Sequence, residues 1–296
     1  MRRFVKRFTW SQFIISTVLL VLSFMVLVPI LNLMAMSFSD PLQVHKLSGL
    51  DIIPKGFSFI NYEVLFSNPL IVRSIFNSLF LTIVGTALNL FLTALAAYVL
   101  ARTDFVGKRV VILFLIVIMV FEPGLIPEYL LVKDLGLLDT YASLLLYKTI
   151  NIFYLFILMR FFEEVPDGIL EAARIDGAGH FRIFTRIMLP LSKPGLATLG
   201  LFYGVYHWNE YFRATIYLTD PNKWPLQVVI RQFVVERDNT TLLGAQNLLS
   251  YEQVQALDFG SLQAGTIIIS IVPLLVFYPF ILKYYAKGTL EGGVKD

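Results

Sequence analysis

Between Tyr203 and Arg213 the chain gathers Tyr203, Tyr206, His207, Trp208, Asn209, Glu210 and Arg213 at one end of an apolar stretch. Aromatic rings with polar tips suit a guest that offers apolar C–H faces and a rim of hydroxyls, as a sugar does. Tyr203, His207 and Glu210 fall on one stripe at three- and four-residue spacing, which makes them candidates to line a translocation pathway. The same residue types collect at lipid headgroups because they are amphipathic, so the pattern leaves both readings open. Catalytic chemistry has no comparable cluster. The chain contains no H-E-x-x-H, no paired carboxylates inside an apolar run and no phosphate loop of the form G-x-x-x-x-G-K-[ST], so no catalytic residue is assigned. The absence of cysteine excludes a disulfide framework and any thiolate metal site. His45, His180 and His207 stand far apart without ligand-like spacing, and no metal site is assigned.

The elements that must position these residues are membrane helices. Of the 296 residues 57% are hydrophobic and only 15% charged, against about 25% charged in a typical soluble domain. Too little polar surface exists to cover a globule in water, and mean hydropathy is +0.72. The net charge of +3 is small and gives no reason to expect nucleic acid. A bilayer core needs about 20 apolar residues in helix. Six stretches meet that length, near 11–36, 71–100, 110–131, 141–162, 195–218 and 262–285. The first follows a basic start (Arg2, Arg3, Lys6, Arg7) and could be read as a signal peptide. Its apolar run is longer than a signal core and no small-x-small cleavage site follows, which favours a retained helix.

Lysine and arginine set the orientation. With the N-terminus inside, the inner segments hold that basic start, then Arg102, Lys108 and Arg109, then Arg174, Arg182, Arg186 and Lys193, then Lys283, Lys287 and Lys295. Both termini are therefore expected in the cytoplasm. No linker rich in Ser, Gly or Pro divides the chain, so residues 1–296 read as one membrane domain. Two long outer segments, 37–70 and 219–261, mix polar with apolar residues and are expected to be folded rather than solvated. Asn77, Asn89 and Asn151 are expected to bond between helices, and Glu122 and Glu128 to lie at the interface.

The inner segment 163–193 is separate in character. Pro166 suits a first helical position, with Asp167 and Glu171 near the positive end of that helix. Ile169, Leu170 and Ala173 recur at helical spacing, Gly177-Ala178-Gly179 breaks the run, and Phe181, Phe184 and Met188 share a side of a second helix. Such a basic, amphipathic helix–turn–helix fits either an anionic lipid surface or the groove of a soluble partner.

One motif in this segment discriminates. Glu171-Ala172-Ala173, three residues, Gly177, nine residues, Ile187, one residue and Leu189-Pro190 resembles the EAA loop of ATP-binding-cassette (ABC) importer permeases at every fixed position. Ile126-Pro127-Glu128-Tyr129 with Leu135-Gly136-Leu137 and Asp139-Thr140 is similar to the loop after the third span in the carbohydrate-uptake branch. The tail from Lys283 to Lys295 resembles the end of the maltose-type second permease subunit. Trp224-Pro225-Leu226-Gln227 and Ile230-Arg231 resemble subunits that serve complex oligosaccharides, including those from acidic polysaccharides.

The resemblance implies an all-α membrane fold with six spans and a cytoplasmic coupling helix, in a bacterial inner-membrane importer of type I. It implies a transport subunit rather than an enzyme, with ATP and Mg held by two partner ATPase subunits and no cofactor on this chain. A second permease subunit, in a heterodimer, and an external solute-binding protein delivering a sugar or oligosaccharide complete the assembly. Glu171 would anchor the coupling helix, Ala172 and Ala173 permit close approach, and Gly177 make the turn, with Ile187, Leu189 and Pro190 completing the coupling motif. The alternatives are a permease of the same family for a non-sugar solute and an ion-driven secondary transporter. The latter predicts midplane charges and inverted repeats, and neither is evident.

Overall fold

A computed structural model describes residues 10–237 and 258–292. Every element among the described residues is helical apart from one antiparallel bridge between Ser39 and Phe57. The described chain folds as two compact units, one from residues 10–71, 230–237 and 258–271, the other from 72–229 and 272–292. The basic residues before position 10, residues 238–257 of the 219–261 segment and the last four residues of the tail lie outside the described residues.

The first unit holds α1 (Trp10–Ser37), α2 (Ile60–Ser67) and the first turns of a long final helix, Phe259–Gly292. Large apolar side chains of α1 are bare along most of its length, as expected of a helix whose solvent is lipid. The segment after it is folded by one buried amide. Asn61 donates to the carbonyls of Ser37 (2.9 Å) and Ser39 (3.0 Å), while its carbonyl oxygen accepts from the Ser261 hydroxyl at 3.1 Å. Gly265 lets that final helix approach Leu65, whose Cδ1 would stand 2.9 Å from any Cβ placed there.

The second unit is organised around α3 (Pro69–Arg102), which enters it at residue 72. Ala94 and Ala97 are small enough for close helix approach. They pack with Leu155, Leu158 and Phe162 of α7 (Ile152–Glu163), with Ile183 and Met188, and with Leu199 of the helix Lys193–Trp208. Near the N-terminal end of α3, Asn77 donates to the carbonyls of Asn222 (2.9 Å) and Trp224 (3.0 Å), and the Ser78 hydroxyl accepts from the Leu226 N–H. Asn77 thus ties a loop rather than a neighbouring helix. Asn151 departs from expectation too, since its side chain caps α7 by accepting from the Tyr154 N–H.

Of the six expected spans, three fall within single helices among the described residues and three are interrupted. Among the described residues, three helices are individually long and apolar enough to cross a membrane, α1, α3 and the final helix. The expected span 110–131 is a pair, α4 (Lys108–Val120) and α5 (Leu125–Asp134), bent by 115°. Pro123 cannot donate a backbone hydrogen bond and restricts Glu122 before it, so the helix stops there. The expected span 141–162 divides into the single turn α6 (Ala142–Leu145) and the 12-residue α7, with Lys148 at positive φ between them. The expected span 195–218 breaks at Asn209–Tyr211, where Glu210 accepts from the Arg213 N–H at 3.1 Å and starts a new helix, Phe212–Tyr217.

Outside the membrane helices, Asp139 clasps the 219–223 loop. It accepts from the N–H groups of Thr219 (3.1 Å) and Asp220 (3.0 Å) and from the Lys223 ammonium at 2.6 Å. The Lys223 hydrogen bond, followed by the backbone N–H of Asp220, lowers the Asp139 carboxyl from 3.8 to about 2. Because the folded value lies below the unfolded one, this contribution is complete above about pH 4 and disappears as pH falls through about 2. Hydrogen-exchange protection of the Thr219 and Asp220 amides should therefore hold above about pH 4 and decline as pH falls toward 2, and Asp139→Asn should lower protection at neutral pH.

Candidate functional site

Two sites are built within the second unit. The first is the inner segment. Pro166 precedes rather than opens the helix α8 (Asp167–Ile175), and Leu170 is that helix's buried residue. Gly177, at φ +78°, ends it. The Ala178 N–H returns to the Ala173 carbonyl at 2.9 Å, a Schellman turn that needs the left-handed residue. After the turn come α9 (His180–Ile183), a π-helical turn Phe184–Met188 and α10 (Leu189–Leu191). Ile183, Phe184 and Met188 are buried in the α3–α7 core.

The motif residues separate into two groups. Glu171, Ala172 and Pro190 are exposed, whereas Ala173, Ile187 and Leu189 pack partly against that core. Between them, Ile175 (85% exposed) and Phe181 (73% exposed) stand bare on either side of the Gly177 turn. Isolated exposed apolar residues are ordinary, but two large ones flanking a tight turn form a knob that a cleft could receive.

Arg102, at the end of α3, holds the base of this knob. Its Nε donates to the Phe162 carbonyl at 2.8 Å, Nη2 to the carbonyls of Glu163 (3.0 Å) and Val165, and Nη1 to the Asp167 carboxylate at 2.7 Å. Sequence reasoning used Arg102 only as a marker of orientation. Its partners lie 60 to 65 residues away, and no local pattern announces them.

The second site is a cavity of about 580 Å³. The breaks in three expected spans meet around it: Glu122, then Tyr147, Lys148 and Asn151, then Asn209, Glu210 and Tyr211. Tyr203 lines it, fixed by a hydrogen bond with Thr93 (2.8 Å) and by accepting from the Asn151 N–H (3.1 Å). Glu210 also lines it, ion-paired with Arg213. The Arg213 guanidinium lies 4.9 Å from the Tyr147 ring centre and 4.8 Å from that of Tyr206, a cation held between two π faces. Lys148 pairs with Glu122 at 3.1 Å and reaches Glu128 at 4.0 Å, so both glutamates have a partner that sequence reasoning did not find.

His207 is not brought to this cavity. It is buried against α3, and its ring would lie 2.4 Å from a Cβ placed on Gly85. The stripe predicted from spacing therefore splits, with Tyr203 and Glu210 on the cavity and His207 in helix packing. Signals for the breaks were present in Glu122-Pro123-Gly124, in a lysine at position 148 and in Asn209-Glu210, all inside otherwise apolar stretches. Chemically the cavity offers tyrosine rings, hydroxyls and paired charges, a lining suited to a hydroxyl-rich guest. Among the described residues no group of His, Asp and Glu could hold a metal ion.

Two substitutions test this construction. Gly177→Ala should destabilise the α8 turn by about 1–2 kcal/mol, since the site is open but left-handed. Faster amide exchange at Asp176–Ala178 would register it. Glu210→Gln strips a buried cation of its partner and should cost about 3 kcal/mol, read as a lower thermal midpoint in detergent.

No protein-family model matches the chain. It is 42% identical over 271 residues to protein LplC of Bacillus subtilis, covering 91% of this chain and 89% of that one. It is 39% identical over 285 residues to the polygalacturonan/rhamnogalacturonan transport system permease protein YtcP of the same organism, covering 94% and 95%. Among solved structures it resembles a chain of a bacterial ABC transporter involved in the import of the acidic polysaccharide alginate. The TM-score is 0.86 at 28% identity, over 96% of this chain and 100% of that one. The unbroken likeness to such transport subunits, joined to the helical fold and the exposed inner helix, shows that this chain belongs to the family of carbohydrate ABC transporter permeases.

Proposed function

We propose that this protein is one permease half of an ATP-driven importer for an oligosaccharide. In this reading α8 docks in a cleft of a cytoplasmic ATPase subunit. The observation that carries it is the exposed helix ending in the Ile175–Phe181 knob, fixed at its base by Arg102. Glu171, exposed on α8, supplies an anchoring charge, and Ala172 leaves room for a partner backbone. Gly177 sets the angle at which the two short helices meet the partner. Ala173, Ile187, Leu189 and the buried residues beside them give the knob a stiff foundation. A second permease subunit supplies the other half of the pathway, two ATPase subunits bind ATP and Mg, and an external binding protein delivers the cargo.

The cavity lined by Tyr203 and Glu210 contributes this subunit's share of the pathway, with His207 stiffening the helix behind it. A sugar fits this lining through C–H contacts on the tyrosines and hydrogen bonds to Asn151, Asn209 and the ion pairs. Both termini face the cytoplasm, in keeping with Arg102, Lys108 and Arg109 crowding one short inner loop. The relatives point to oligosaccharides of polygalacturonan, rhamnogalacturonan and alginate as the first cargo to try.

The decisive experiment measures ATP hydrolysis by the complete complex in lipid, with its binding protein and a panel of neutral and uronate oligosaccharides. Stimulation by one class would identify the cargo. In that assay Glu171→Ala and Gly177→Pro should each reduce stimulated hydrolysis about tenfold or more. Near-wild-type stimulation in both would remove the docking assignment. A complex that hydrolyses ATP in response to a non-sugar solute alone would replace the oligosaccharide reading.

A further inference from the structure

α3 is fastened at both ends by side chains on its own surface. At the inner end, Tyr98 and Arg102 stand four residues apart on one face and grip the two arms of the α8–α9 turn separately. Arg102 takes the entry to α8 through the Phe162, Glu163 and Val165 carbonyls and Asp167. The Tyr98 hydroxyl meets His180 Nδ1 at 3.1 Å, at the start of α9, and its ring lies 5.4 Å from that of Phe184. At the outer end, Asn77 and Ser78 hold the loop at 222–226. In between, Thr93 bonds Tyr203 on the cavity wall, and Gly85 seats His207. A helix of this length spans about 50 Å.

Resting on the docking reading of α8, we infer that α3 is the strut that carries motion of the coupling segment to the cavity and outer loop, and that Arg102 is the positioning residue that joins them. The guanidinium suits this role physically. It is planar, its side chain is only 10% exposed, and four acceptors from two helix ends converge on it. A planar fork with several short bonds resists rotation about any one of them. A lysine at this position would present a single ammonium and could not span the same set of acceptors. The carbonyls of Phe162 and Glu163 also form the negative end of α7, so the cation is stabilised where it is fixed. α8 by itself buries little besides Leu170, so without Arg102 its entry end would be free to swing about Gly177.

The test uses the whole complex with its ATPase subunits in lipid. The chain has no cysteine, so Gly168→Cys on α8 and Phe76→Cys near the outer end of α3 admit one spin-label pair. Gly168 faces open space and Phe76 is exposed. The distance distribution is recorded without nucleotide and with Mg-ATP plus orthovanadate. In the otherwise wild-type protein the two distributions should coincide, because α8 and α3 move as one body. Arg102→Met should shift them apart while the ATPase still co-purifies, and Arg102→Lys should give a smaller shift. Distributions that already differ in the wild-type background would overturn the inference. So would an Arg102→Lys protein as invariant as wild type, which also decides the matter if Arg102→Met does not assemble. Failure of the ATPase to co-purify with the wild-type chain would instead sink the docking reading.

Discussion

A helix that stops in apolar surroundings leaves amides and carbonyls that water cannot reach, and each must find a partner within the protein. This constraint accounts for much of the second unit. Arg102 takes the carbonyls at the end of α7. Asn151 caps the start of that helix, and Glu210 accepts from the Arg213 amide where the next helix begins. The Ser78 hydroxyl receives the Leu226 amide at the outer surface. In each case a polar residue in or beside an apolar stretch answers a backbone group rather than floating as an isolated charge.

The same constraint explains why the breaks coincide. Irregular backbone at membrane depth is tolerated where it lines a polar cavity. The interruptions near Glu122, Lys148 and Glu210 border one such cavity. The charges that accompany them are paired, Lys148 with Glu122 and Arg213 with Glu210, and two tyrosine faces hold the guanidinium between them. The lining therefore combines aromatic surface with charges that are already compensated. A hydroxyl-rich guest can exchange hydrogen bonds with such a wall without leaving a bare ion behind.

In the segment 163–193, attachment and exposure occur together. One face of this segment is held by Ile183, Phe184 and Met188 in the core, by Tyr98 and by Arg102. Its outer face presents Glu171, Ile175 and Phe181. A small helix that buries so little of its own surface keeps its orientation only if its attachments are stiff. The Schellman turn at Gly177 and the guanidinium fork supply that stiffness from opposite ends.

By itself the sequence determined the class of the protein and its apolar stretches, three of which are single helices among the described residues, and it set apart the segment 163–193 with the motif that resembles the EAA loop. These depend on sums over neighbouring residues: hydropathy over a window, charge in a short loop, seven fixed letters within twenty positions. Continuity of the other expected spans was beyond such sums, because a few polar residues at 122–124, 148–151 and 209–211 barely change a windowed average. Only the tertiary structure decided which side of the stripe at Tyr203, His207 and Glu210 meets the cavity. Helical spacing puts the three together, but Gly85 on α3 leaves a socket that the imidazole fills. It also decided that Glu122 and Glu128 meet Lys148 and that Arg102 reaches residues more than sixty positions away. Such partnerships are set by which helices pack together, and packing depends on shapes brought from distant parts of the chain.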